Sequence, residues 1–288
     1  MKNILLAGAT GHTGRAIATE LHRRGLPFTA LVRNSSRAAL LRGLTDSFRY
    51  AEATDPNAFT GISTGHEVVI SALGKSVSPF DRSKPTFDQV DLAANRALIN
   101  DAAQQGVRKF VYVSAFGAQK HPGLRYFRVH QQVEEQLKTS GLDWSIVRPP
   151  ALFSAFTDLL TMARKGRLMH LGAGDRQTNP IWEGDLARIV ADSIDTPSFE
   201  CDPGGPEVLT RRAINELIQR VAAPHKKIRQ APLGLIKALL PLVKLTDRNS
   251  YDKLAFFTEV YGADNIATPV GSKRLEQYLR EQAAGAGR

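Results

Sequence analysis

Between Ala7 and Arg15 the chain reads Gly8-Ala9-Thr10-Gly11-His12-Thr13-Gly14, glycines at every third position behind a short apolar run and ahead of an amphipathic one. Glycine at the first of these positions allows a tight turn, at the second a close approach of backbone to a pyrophosphate, and at the third close packing of helix on strand. A helix starting here offers free amides and the positive end of its dipole to phosphate oxygens. Gly8, Thr10, Gly11, His12, Thr13 and Gly14 are therefore the candidate dinucleotide cradle, with the His12 ring shielding the pyrophosphate rather than reacting. At the end of the second apolar run, where an NAD-selective site places an acidic residue against the ribose hydroxyls, the chain reads Val32-Arg33-Asn34-Ser35-Ser36-Arg37. Arg33 and Arg37, with no carboxylate between them, suit a 2'-phosphate, so NADP(H) is expected in preference to NAD(H).

Strands and helices must hold these residues in place. Ile4 to Ala7, Phe28 to Val32, Val68 to Ser71, Phe110 to Val113 and Trp144 to Val147 are apolar runs of strand length without polar alternation, as a parallel sheet covered on both faces requires. Between them, Gly14 to Arg24, Asp91 to Gln105 and Gln131 to Ser140 carry helical periodicity and close at Gly25, Gly106 and Gly141. This alternation predicts an α/β fold, a Rossmann-like doubly wound parallel sheet with a smaller C-terminal cap. Residues 1–150 are expected to form the dinucleotide-binding domain, completed by a helix near 185–195, and 151–288 the substrate or cap region. Beyond Pro149-Pro150 the pattern predicts a hairpin around Leu168 to Ile181, a turn at Pro203-Gly204-Gly205-Pro206, a helix capped by the Thr210 hydroxyl, and a frayed tail over 283–288.

Composition narrows the class. With 42% hydrophobic and 23% charged residues over 288 positions, the chain has enough apolar surface for a sizeable core and is not a disordered protein. A single cysteine, Cys201, excludes an internal disulfide and any multi-cysteine metal site. His66, His121, His170 and His225 are scattered without metal-ligand spacing, so no metal is expected, and no Gly-x-Ser-x-Gly elbow marks a hydrolase. The run after Lys2 is too short for a signal-peptide core and no stretch approaches the ~18 apolar residues of a membrane span, which places the protein in the cytoplasm.

The segments Val68-Val69-Ile70-Ser71-Ala72-Leu73-Gly74, Gly106-Val107-Arg108-Lys109-Phe110-Val111-Tyr112-Val113-Ser114 and Ser140-Gly141-Leu142-Asp143-Trp144-Ser145-Ile146-Val147-Arg148-Pro149 follow the glycine loop in order. Together they resemble the atypical short-chain dehydrogenase/reductases of the NmrA-like, NAD(P)H-binding branch, over about the first 220 residues. The resemblance implies that Glu52 and Ala53 lie near the adenine, that Ser71, Ala72, Leu73 and Gly74 pass the adenosine ribose, and that Pro149, Pro150, Ala151 and Leu152 flank the nicotinamide. Asp55, one step further, reads as a helix cap before Pro56. The resemblance also implies Ser114 as the serine that orients a substrate carbonyl and Tyr126 as the proton donor. Where the family places a lysine four residues after the tyrosine, this chain has His130. A lysine is cationic at neutral pH and lowers the tyrosine pKa, whereas a histidine would do so only when protonated. Two functions stay open: an NADPH-dependent reductase of a small apolar carbonyl or quinone, which Ser114 and Tyr126 favour, and a non-catalytic NADP(H) sensor acting through a protein partner, which His130 favours.

The net charge of +10 is concentrated late in the chain, where 211–248 hold nine Lys or Arg against Glu216 and Asp247. Within that stretch, 233–245 is almost wholly apolar, with Lys237 and Lys244 spaced along it and Pro241 expected to break any long helix. It reads as a core helix over the substrate cleft with snorkelling lysines, as the rim of an apolar pocket, or as a peripheral membrane segment. Basic residues without interleaved aromatics or a recognition motif argue against nucleic acid, and the sequence assigns no oligomeric state.

Overall fold

The computed structural model describes residues 2–78 and 81–285. Two compact units divide it: Met1–Ser76, Ser83–Arg148 and Glu183–Cys201 make the first, and Val77–Arg82, Pro149–Trp182 and Asp202–Arg288 the second.

In the first unit, strands β1 (Ile4–Ala7), β2 (Phe28–Val32), β3 (Phe48–Tyr50), β4 (Val68–Ser71), β5 (Lys109–Val113), β6 (Asp143–Val147) and β9 (Phe199–Cys201) form one sheet in the order β3-β2-β1-β4-β5-β6-β9. Every neighbouring pair is parallel, with Ile4 opposite Phe28 on one side and Val68 on the other. Each residue of β1, β4 and β5 is buried, which is why these runs show no polar alternation. Helices α1 (His12–Arg23), α2 (Ser35–Ala38), α3 (Asn95–Gln104), α4 (Arg125–Lys138) and α6 (Glu183–Asp192) complete a Rossmann-like α/β unit. Leu98, Ile99 and Ala102 of α3, with Val133 and Leu137 of α4, pack on Leu5, Ala7, Val69, Phe110 and Ile146 of the sheet, while α1 packs on α6. Gly25, Gly106 and Gly141 take positive φ (66°, 72° and 82°) where α1, α3 and α4 have ended, a backbone state that costs glycine nothing. Asp55 accepts from Asn57 N at 3.0 Å and caps the turn Pro56–Phe59, as its place before a proline predicts.

Two helices depart from the expected bounds. α4 begins at Arg125 rather than near Gln131, which puts Tyr126 and His130 in its first two turns. A π-helix, Asp88–Ala94, precedes α3 and widens the turn that carries Asp91.

The second unit packs α5 (Thr157–Arg164), α7 (Arg211–Ala222) and α10 (Leu275–Gly285) around Phe153, Leu160, Ile214, Ile218 and Leu279. Six short strands, β7 (Met169–Leu171), β8 (Gln177–Thr178), β10 (Pro203–Gly204), β11 (Leu209–Thr210), β12 (Arg229–Ala231) and β13 (Thr268–Pro269), form three separate pairs. The expected hairpin over Leu168 to Ile181 does not form. β7 runs parallel to β12 and β8 antiparallel to β11, because Gly172 and Gly174, both at positive φ, turn the chain toward distant partners: Gly172 N donates to Ala231 O and Arg212 N to Gly174 O. The expected turn at Pro203 to Pro206 starts as extended backbone paired with β13. α8 (Leu233–Thr246) continues through Pro241, which removes one amide without breaking the helix, and α9 (Arg248–Gly262) packs along it. α8 is not a core helix, since none of its residues is buried. α10 extends to Gly285, so 283–285 are helical rather than frayed, and 286–288 lie outside the described residues. Among the described residues no helix is long and apolar enough to cross a membrane.

The Thr210 side chain accepts from Ala213 N at 3.0 Å and caps α7. Thr210→Ala should cost about 1 kcal/mol in urea unfolding and Thr210→Ser almost nothing, because serine keeps the accepting oxygen.

Candidate functional site

The sheet order reverses between β1 and β4, and in an open parallel sheet the crevice beyond the strand ends at such a point is where ligands bind. Gly8 leaves β1 there with φ of +76°. A Cβ at Gly8 would overlap the Ala72 carbonyl oxygen just after β4, and one at Gly14 would overlap the carbonyl oxygen of Gly8 itself. Glycine at 8 and 14 is thus required by the protein's own packing. Gly11 differs, because a Cβ there would meet nothing nearer than Gly8 O at 3.5 Å, an ordinary contact. Among the described residues nothing excludes a side chain at 11, so a reason for glycine there lies in what approaches from outside. Gly11 N donates to Gly8 O at 3.1 Å, and α1 starts with no side-chain cap and no acidic residue in its first turn. Its leading amides have no partner within the helix and are available to an anion. On these grounds the residues present fit a dinucleotide pyrophosphate.

The flanking loop is held from beneath. Ser71 Oγ donates to Asn95 Oδ1 at 2.5 Å, and Asn95 Nδ2 donates to Leu73 O at 3.3 Å and Asp91 O at 2.7 Å. The Asp91 carboxyl accepts from Lys75 N, both oxygens at 3.2 Å. Asp91 and Asn95, both fully buried, therefore position Ser71, Ala72, Leu73 and Gly74 without belonging to that loop. Sequence reasoning missed both; the available signal was two polar residues four apart, in register with the buried Leu98.

At the ends of β2 and β3, Arg33 Nε lies 3.2 Å from Glu52 Oε2 at the protein surface. Ala53 next to it is half-buried and packs on the sheet core. Arg37 is exposed on α2, where its amide donates to the Asn34 side chain. Pro149 to Leu152 belong to the second unit, where Ala151 O accepts from Ile181 N at 2.8 Å and Leu152 bridges Ile181.

The residues assigned to catalysis have different partners. Ser114 Oγ donates to Glu134 Oε1 at 2.6 Å, and Arg148 grips the same carboxylate at 2.8 and 2.7 Å while reaching Glu200 at 2.5 Å. A hydroxyl has one proton to give, and that of Ser114 is already given within a buried ion pair. Tyr126 and His130 do meet, edge to face, with ring centroids 4.6 Å apart. The Tyr112 hydroxyl and His130 Nδ1 share a hydrogen bond of 2.6 Å. Among the described residues His130 Nε2 is buried without a hydrogen-bond partner, 3.8 Å from Asp91 Oδ1.

Burial decides the charges in this cluster. It pushes His130 down to about 3 and Asp91 up to about 8, the latter against the pull of the Lys75 amide. It also drives the Tyr126 phenol well up, with the Asp91 charge adding to the effect. The imidazole is neutral at physiological pH. At neutral pH His130 therefore presents no charge to Tyr126, because burial penalises its cationic form.

A family model described as NAD(P)H-binding matches residues 8–197. The chain is 31% identical to the photosystem II assembly factor Ycf39 of Cyanophora paradoxa, covering 97% of this chain and 91% of that protein. It is 27% identical to the chloroplastic divinyl chlorophyllide a 8-vinyl-reductase of Zea mays over 82% of this chain, and spans 63% of that longer relative. Among solved structures, the NADPH-dependent quinone oxidoreductase of Escherichia coli, complexed with NADPH, superposes with a TM-score of 0.70 at 21% identity, covering 96% of this chain and 99% of that one.

The two buried titrations have opposite signs. The unfolded chain protonates His130 below its ordinary value near 6.5 while the folded one does not, so this contribution is full above that value and fades as pH falls toward about 3. Folded Asp91 stays protonated where the unfolded carboxyl has ionised, so its contribution is full below about 3.8 and is lost as pH rises toward about 8. In urea titrations His130→Phe should leave a stability that falls steadily from pH 5 to pH 8, and Asp91→Asn one that rises from pH 5 and is flat above pH 7. Parallel profiles for the two variants would show that the pair does not titrate separately.

Proposed function

This chain belongs to the NAD(P)H-binding family, in the NmrA-like branch of the atypical short-chain dehydrogenase/reductases, and on that premise we propose that it is an NADPH-dependent reductase of a small apolar quinone or carbonyl. The observation that carries this reading is the glycine cradle, open at Gly11 beside the uncapped start of α1. In this reading Gly8 to Gly14 hold the pyrophosphate, Arg33 and Arg37 the 2'-phosphate, Glu52 and Ala53 the adenine side, Ser71 to Gly74 the adenosine ribose, and Pro149 to Leu152 the nicotinamide side. The first unit binds the dinucleotide, and the second is the substrate or cap region. A cytoplasmic site of action goes with the lone Cys201.

NADPH supplies a hydride when bound; the chain has to orient the acceptor and provide a proton. Tyr126 is the proposed donor, with His130 as the neutral group against its ring. A phenol pushed up by burial and by the Asp91 charge is a weak acid. Hydride addition to a simple ketone leaves an alkoxide, a strong base that needs its proton as it forms. Addition to a quinone leaves a delocalised hydroquinone anion that can take its proton from water. Quinones are accordingly favoured over simple ketones.

One observation favours a second reading, an NADP(H) sensor acting through a protein partner: the Ser114 proton is committed to Glu134, and His130 carries no charge. A relative named as an assembly factor lends this reading weight. NADPH oxidation across quinones, aldehydes and ketones separates the two. Turnover with a quinone supports the reductase; no turnover with any acceptor, together with NADPH-dependent capture of a partner, transfers the conclusion to the sensor.

For cofactor choice, fluorescence titration should give NADPH at least roughly tenfold tighter binding than NADH, the gain of one charge-assisted phosphate contact. Arg33→Asp should reverse that order, and Glu52→Gln, by releasing Arg33 from its carboxylate, should strengthen NADPH alone. Equal wild-type affinities would remove the 2'-phosphate assignment. For the proton, Tyr126→Phe should lower kcat on carbonyls by roughly a hundredfold and on quinones only slightly, with NADPH affinity kept. Equal losses on both classes would mean that the phenol does something other than donate.

A further inference from the structure

The second unit carries a face that the redox reading leaves unused. α8 has 14 residues and no buried one, although only Lys237 and Lys244 in it are charged. Leu233, Ile236, Leu240 and Val243 recur at helical spacing and are half-buried, the side on which α9 packs. Leu235, Leu239 and Leu242, at i, i+4 and i+7, form a second stripe that is 58%, 48% and 62% exposed, and Leu245 beyond them is 84% exposed. Both lysines are taken up by α9: Lys237 lies 3.6 Å from Glu259 and Lys244 stands over the Tyr251 ring. The outer face is therefore leucine without a charge among it, a patch that a water-facing helix does not keep without use.

Charge says what covers it. Lys226, Lys227 and Arg229 are exposed just before α8 and Arg248 just after it, so that 224–248 hold six Lys or Arg against Asp247 alone. A second copy laid symmetrically on the leucine stripe would bring two such cationic sets together, which costs free energy. An anionic surface matches both features at once. We propose that α8 docks this protein on an anionic lipid surface, the four leucines entering the acyl boundary and the cations at 226–229 meeting lipid phosphates. This contact lies in the interfacial plane and needs no membrane-crossing helix. It does not depend on the proposed reaction.

Flotation of the full chain with phosphatidylcholine vesicles, with and without phosphatidylglycerol, tests it. Binding is expected to the mixed vesicles and to fall at least tenfold on neutral ones or at high salt. Leu239→Glu with Leu242→Glu should abolish flotation, and Lys227→Gln with Arg229→Gln should reduce it by roughly tenfold or more. Melting temperature and NADPH affinity should be unchanged in both, which separates a failure here from a failure of the cofactor reading. If the leucine variant does not fold, an environment-sensitive dye on Leu245→Cys in a Cys201→Ser background should shift to the blue on mixed vesicles only. No flotation with mixed vesicles, or flotation indifferent to the leucines, overturns the proposal. A dimer in sedimentation that Leu239→Glu dissociates, without vesicle binding, overturns it in favour of a second copy.

Discussion

The contact between Gly8 and the end of β4 leaves no space for a methyl group, and much of the first unit is arranged around it. The Gly8 carbonyl oxygen accepts from Gly11 N and is also the surface on which Gly14 packs, so the end of β1, the loop and the start of α1 form one rigid body with Ala72. From there Asn95 and Asp91 fix the loop after β4, and Asp91 in turn lies beside His130, whose ring is tied to Tyr112 on β5. Side-chain hydrogen bonds carry this geometry as far as Asp91, and a 3.8 Å approach of its carboxyl to His130 Nε2 reaches α4. Rigid support of this kind is what a binding loop needs if its amides are to be aimed before a ligand arrives.

Along α4, two buried polar residues one turn apart are treated in opposite ways. Glu134 meets the Arg148 guanidinium in two-point contact, so a charged pair persists at a site where each partner alone would be strongly unfavourable. His130 has only a neutral phenol and a carboxyl that burial keeps protonated, so the same helix holds an uncharged cluster there. The presence of a cation within reach decides between these outcomes. Arg148 is occupied with Glu134 and Glu200 and leaves the His130 cluster without a cation of its own.

Where a single local cause acts, the sequence is easy to read. Glycines at 8 and 14, the caps at Asp55 and Thr210, and the unbroken apolar runs of the central strands each follow from nearby geometry, and the structure has them as the pattern predicts. The second unit was less legible because its strands are two or three residues long and pair with segments far away in the chain, so no local periodicity encodes the partners. The same limit applies at the site. Ser114 stands just after β5, yet its partner Glu134 comes from α4 and reveals itself only when the chain is folded. His130 shows the complement: its identity was visible, while its neutrality depends on a burial that no single position announces.

The edge strand β9 comes from residues 199–201, yet it completes a sheet whose previous strand ends at Val147, with 149–182 of the second unit intervening. During synthesis, the ribosome therefore has to deliver part of one unit before the other can close. Until then β6 presents an open edge, and the Lys109 ammonium has the Trp144 carbonyl but lacks those of Thr196 and Pro197, which accept from it at 2.9 and 3.4 Å in the finished fold. A nascent chain stalled after Arg148 would carry an unpaired parallel edge, a condition that invites aggregation. The order of the chain thus makes the middle third of the protein the vulnerable stage of its biogenesis.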